Sequence, residues 1–181
     1  MHRKTWIKVA VLLAASAAIA WSHAQDAWPS KVLRFVVPYP PGGPTDLMAR
    51  ALQPELQTRL GATVVIENKS GAGGNVGSAE VARHAPADGH TLLLAASGPM
   101  AVNPSLYKSM PFDPLKDLAP VIQISAFPLV LEVNPSTGIK DVKGLVAALK
   151  KPDNRLAFAS AGNGTPQHLA GEIFNTQVGS K

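Results

Sequence analysis

The sequence predicts an α/β fold: an open parallel sheet with helices on both faces, then a second α/β unit that is not finished. Three observations carry the prediction. Apolar runs of strand length alternate with helical patterns between residues 32 and 95. Sixteen Pro and fifteen Gly sit between those runs rather than in one tract, so they punctuate turns. One unit, strand then glycine turn then threonine then helix, occurs twice, at residues 33–46 and 156–168. A helix start presents unpaired backbone N–H groups and the positive end of the helix dipole. Two such starts facing each other would form a cleft for an anion.

The first element is a targeting segment. His2, Arg3, Lys4 and Lys8 make a basic start, residues 9–20 are an apolar run of twelve, and Ser22-His23-Ala24 supplies the small residues of a cleavage site. Residues 1–24 therefore read as a signal peptide. The run is shorter than the about 20 residues of a membrane span, and no later run is longer, so no stable insertion is expected after cleavage. No Arg-Arg pair occurs, which favours general secretion. The chain has no Cys, hence no lipid on cysteine and no disulfide, which points to a bacterial periplasm. Removing Arg3, Lys4 and Lys8 lowers the formal charge from +5 to +2. With the remaining cations scattered, nothing favours a nucleic-acid partner.

Residues 32–37 are apolar and β-branched, as a buried parallel strand requires. From Asp46, Leu47, Ala51, Leu52, Leu56 and Leu60 recur at helical spacing, Gly61 is a stop signal, and Pro54 should kink the helix. Residues 63–66 form the next strand. The glycine loop 71–77 leads into a helix ending near Arg83, and a Pro-Ala-Asp-Gly turn precedes a third strand at 91–95. Residues 98–120 read as irregular. Strand candidates follow at 121–124 and 129–133, a helix at 141–149 and a strand at 156–159. A domain crossing near 125 divides a first α/β domain (25–125) from a second, incomplete one (126–181).

Ligands of open α/β sheets bind beyond the carboxyl ends of strands, where both glycine turns lie. Gly42 and Gly43 would let backbone approach a ligand closely. Thr45 or Asp46 would cap the helix. An ordinary tight turn with a good cap explains one copy equally well; repetition of the pattern at Gly162, Asn163, Gly164 and Thr165 is what favours binding. Asp46 carries an anion's own sign, so its expected role is structural, accepting backbone N–H bonds. His168 could donate to a carboxylate, and Tyr39 could wall a pocket.

Other chemistry finds little support. The loop 71–77 has Val76 where the dinucleotide fingerprint needs Gly or Ala, and no phosphate-cradling Gly-Lys-Ser/Thr follows. No nucleophile elbow occurs. His84 and His90 flank a turn with no Cys available, an improbable metal site. No cofactor is implied, and no pair of titratable groups demands catalysis.

Several runs together resemble one family. They are Trp28-Pro29-Ser30-Lys31, residues 36–46 (VVPYPPGGPTD), 65–77 (VIENKSGAGGNVG), 86–93 (PADGHTLL), 102–107 (VNPSLY), 112–118 (FDPLKDL) and 159–170 (ASAGNGTPQHLA). In this order they resemble the tripartite tricarboxylate transporter substrate-binding proteins, the Bug receptors. The resemblance implies a type II-like periplasmic binding protein: two α/β domains, hinged, with the ligand cleft between them and no catalysis. It implies a small carboxylate ligand, membrane subunits of a tripartite transporter as partners, and a monomer. The family's two carboxylate-gripping loops match Tyr39, Gly42, Gly43, Thr45 and Asp46, and Gly162, Asn163, Gly164, Thr165 and His168. Ser97, beyond the third strand, joins the expected ligand contacts.

The chain is shorter than the family pattern. The expectation is a C-terminally truncated receptor, with both loops present, part of the second domain missing, and poor folding of the 181-residue product alone. The alternatives are a sensor subunit binding the same acids for a signalling receptor, or a non-functional fragment.

Overall fold

A computed structural model describes residues 28–180; the signal-peptide segment lies outside the described residues. Three parallel strands form the sheet, β1 (Leu33–Val37), β2 (Val64–Asn68) and β3 (Thr91–Leu93), in the order β2-β1-β3. Leu33 pairs with Val64 and Arg34 with Thr91, so β1 is the central strand. Parallel neighbours need crossover connections. Helix α1 (Pro44–Leu60) links β1 to β2, and α2 (Asn75–His84) links β2 to β3.

Alternation along β1 decides what each face holds. Leu33 and Phe35 pack with Val64, Leu56, Leu60, Ile66 and Leu92. Val37 packs with Ala49, Met48, Tyr39 and Leu94. Leu56, Leu60, Ala49 and Met48 belong to α1, which therefore covers this face. On the other face Arg34 forks onto Glu67, with Nε to Oε1 at 2.9 Å and Nη2 to Oε2 at 2.7 Å, and reaches Glu80 on α2 at 3.4 Å. The guanidinium holds the Glu67 carboxyl below its usual range.

Helix α1 continues as one element through Pro54. Pro54 has no N–H to offer the Arg50 carbonyl, and both residues are exposed. The cap of α1 also differs from expectation. Gly43 is the N-cap, Pro44 opens the helix, and neither Thr45 nor Asp46 caps it. Proline at the first helical position starts the helix early and places both cap candidates inside the first turn.

The stretch after β3 is more ordered than expected. Residues Gly98–Val102 form a π-helical turn that runs into the short α3 (Asn103–Leu106). Beyond it lie a 3-10 turn (Pro135–Thr137), α4 (Val142–Leu149) and α5 (Pro166–Val178).

The expected strands at 121–124, 129–133 and 156–159 do not form. Residues 119–134 and 155–161 are irregular, and nearly all are exposed, with Val121 at 81 % and Ile122 at 79 %. A strand exists only as a hydrogen-bonded ladder with a neighbour, and these segments have none among the described residues. Phe158 instead rests on α5, against Gly171 and with its ring 6.3 Å from that of His168.

Candidate functional site

The two repeated turns sit at the starts of α1 and α5, and their local chemistry differs. In the first, Asp46 is the organising group. It is 1 % exposed and accepts from Gly42 N–H at 2.8 Å, Arg50 Nε at 2.9 Å and Asn68 Nδ2 at 3.0 Å. Arg50 foremost, then the Gly42 N–H, holds its carboxyl down at about 2. Asp46 therefore ties the turn 40–43 to α1 and to the end of β2, the structural role its charge implied. Gly42 has φ +83° and faces open space; Gly43 meets only the Pro40 carbonyl. Thr45 is half-buried and makes no cap.

The second turn follows the expected pattern. Thr165 is the N-cap of α5 and is 1 % exposed. Its Oγ1 donates to the Gly162 carbonyl at 2.7 Å and accepts the His168 N–H at 3.4 Å. Gly164 N–H donates to His168 Nδ1 at 3.4 Å. A backbone N–H can only donate, so the ring proton resides on Nε2. Thr165→Ala should cost about 1 kcal/mol of local stability. Amide exchange in the first turn of α5 should accelerate several-fold, and Thr165→Ser should restore protection; unchanged exchange would contradict the cap's role.

The structure joins the second turn to the first unit through residues that sequence reasoning missed. A methyl group on Gly73 (φ +62°) would overlap the Asn163 carbonyl, and one on Gly98 would stand 3.0 Å from the Gly164 carbonyl. One on Gly164 (φ +83°) would overlap Asn103 Oδ1. Both tyrosines of the chain flank this junction. Tyr39 Oη donates to the Gly73 carbonyl at 3.3 Å, and Tyr107 Oη donates to the Asn163 carbonyl at 3.2 Å. Burial pushes the Tyr39 hydroxyl pKa up.

Asn103 lies fully buried beneath the loop. Its Nδ2 donates to Asn75 Oδ1 at 2.7 Å, and its Oδ1 has no hydrogen-bond partner among the described residues. The Gly164 Cα–H faces that oxygen, the arrangement of a weak C–H···O contact.

The loop 162–165 thus packs on Gly73, Gly98 and Asn103. Of the first turn, Tyr39 is the residue that reaches the junction. Ser97 is exposed and precedes the π-helical turn. The glycine loop 71–77 and the run 102–107 were visible as motifs, but their role depends on proximity in space. A cavity of about 320 Å³ opens beside the junction, lined by Leu106, Tyr107, Lys108, Asn163 and His168.

Among the described residues, no helix is long and apolar enough to cross a membrane. The family model described as tripartite tricarboxylate transporter family receptor matches residues 48–181. Protein BugT of Bordetella pertussis is 40 % identical over 181 residues, covering 99 % of this chain and 55 % of BugT. Rpa4515 of R. palustris, solved with adipate, superposes with a TM-score of 0.81 at 34 % identity, over 85 % of this chain and 51 % of that one. MatC of Rhodopseudomonas palustris, with bound malate, gives 0.79 at 30 % identity, over 85 % and 52 %. The chain spans about half the length of the curated relatives it matches. The parallel sheet is that of a periplasmic binding protein, and the chain belongs to the tripartite tricarboxylate transporter (TctC, or Bug) receptor family.

Proposed function

We propose that the protein is a periplasmic solute-binding receptor that captures a small organic carboxylate for a tripartite tricarboxylate-type transporter. The observation that carries the reading is the convergence of loop 162–165 and the start of α5 with Tyr39, Gly73 and Gly98. The N–H groups of Gly162, Gly164, Thr165 and His168 are paired within the turn, so the donors that suit an anionic head group are the Asn163 N–H, its side-chain amide and the Gln167 N–H at the start of α5, which have no partner among the described residues. The adipate and malate bound by two structural neighbours support the same ligand class.

In this reading Tyr39, Gly162, Asn163, Gly164 and Thr165 lie at the carboxylate held by the loop, with the His168 ring beside them toward the cavity. Gly42 and Gly43 present backbone beside Tyr39, Asp46 holds their turn in shape, and Ser97 borders the opening. Hydrogen bonds to a charged group contribute about 1.5–3 kcal/mol each. A helix N-terminus adds roughly 0.3–1 kcal/mol. Three or four such bonds reach the about 8 kcal/mol of micromolar binding. Calorimetry of the purified protein against mono-, di- and tricarboxylates should give micromolar binding for at least one acid. Binding of a neutral sugar or a cation, with no carboxylate bound, would sink the proposal.

A further inference from the structure

The cavity beside the junction has a chemical character that the loop backbone does not explain. Its lining joins two residues of the second turn, Asn163 and His168, to Leu106, Tyr107 and Lys108 at the end of α3. At about 320 Å³ it lies at the small end of small-molecule sites. Ion pairs among the described residues engage Lys31, Lys69 and Lys116; Lys108, like Lys140, Lys143, Lys150 and Lys151, has no carboxylate within 4.0 Å, and of these five it is the one that lines the cavity. The side chain is exposed at the rim, with its charge uncompensated by the protein.

His168 supplies a second donor. Its Nδ1 is occupied by the Gly164 N–H, which leaves the Nε2 proton to be placed. Glu172 Oε1 is the nearest carboxylate oxygen, at 4.0 Å, beyond hydrogen-bond reach. No acidic residue lines the cavity itself, and Leu106 gives it one apolar wall. A cation and an N–H donor at the edge of an apolar-walled pocket suit one carboxylate at the end of an alkyl chain.

We infer that Lys108 and His168 form a subsite for the second, distal carboxylate of the ligand, so that the receptor selects dicarboxylates over acids with one neutral end. This rests on the carboxylate-receptor reading above and adds a specificity residue to it. The proximal carboxylate belongs to the loop backbone; Lys108 and the Nε2–H belong to the far end. Lys108 is exposed and tethered to nothing, so its replacement leaves packing intact.

The test compares succinate, glutarate, adipate and malate with the monoamides of the first three, by calorimetry on the purified protein and on Lys108→Met and Lys108→Arg. The protein should prefer at least one diacid to its monoamide by roughly tenfold or more. Lys108→Met should remove that preference by weakening diacid binding alone, and should flatten its salt dependence. Lys108→Arg should keep most of it, and Glu172→Gln should tighten diacid binding. Equal weakening of diacid and monoamide, or no weakening, overturns the subsite while leaving the carboxylate receptor standing. Binding of a monoacid with no diacid bound overturns it likewise. If no carboxylate of any kind binds the unaltered protein, both readings fall together.

Discussion

Gly164→Ala should reduce carboxylate affinity by roughly 100-fold or more and release the loop 162–165 from the first unit. Two costs combine. At φ +83° an alanine pays the left-handed penalty, about 1–2 kcal/mol. Its methyl would also overlap Asn103 Oδ1, and Asn103 cannot step aside, because it is fully buried and donates to Asn75. The loop must lift, taking the Gly162 carbonyl, the Thr165 cap and the start of α5 with it. Gly42→Ala is the matched control. Gly42 has the same φ of +83° but faces open space, so it carries the strain without the overlap. Amide exchange at residues 162–165 should accelerate strongly in Gly164→Ala and stay near normal in Gly42→Ala. Equal behaviour of the two variants would reduce the interlock to backbone strain.

Asp46→Asn should loosen the opposite end of the junction and alter the acid response of the fold. The carboxylate serves the Gly42 N–H, Arg50 and Asn68 at once. An amide can accept from only some of these donors and turns its own N–H groups toward the rest. Protection of β1 and α1 amides at neutral pH should fall roughly tenfold or more, beginning at Gly42. The pH dependence has a definite sign. Asp46 is held at about 2, below its ordinary 3.8, so its contribution is complete above about pH 4 and is lost as pH falls through 2. The difference between the protein and Asp46→Asn should therefore close between pH 4 and pH 2. Asp88, also held at about 2, chiefly by Lys31, leaves an acid slope of its own in the variant. A difference that persists undiminished at pH 2 would show that the amide acts by shape and not by lost charge.

The sequence made the first unit legible because its strands find their partners inside the chain. Residues 32–37 read as a near-continuous apolar run, as a strand covered on both faces requires, and the structure covers both. The segments 121–124, 129–133 and 156–159 are likewise largely apolar but have no ladder partner among the described residues, and composition alone cannot supply one. At the site, the second turn was readable to the atom type, with Thr165 capping and His168 in the first turn. The first turn misled, because Thr45 and Asp46 satisfy the same pattern while Pro44 takes over the helix start. Gly73 and Asn103 sat in visible motifs that did not disclose their role, and Gly98 gave no signal. Their importance is an absence of side chain, or a buried amide, at a crossing of segments far apart in the chain. Lys108 looked like any surface lysine until the cavity was seen around it.

The central position of β1 also sets a timetable. Its two ladders wait for partners about 30 and about 60 residues further along, so the sheet cannot start from its own first strand. Loop closure on that scale delays assembly until most of the first unit has been made. Until then β1 stays unpaired, and the order in which the chain is made is not the order in which the sheet closes.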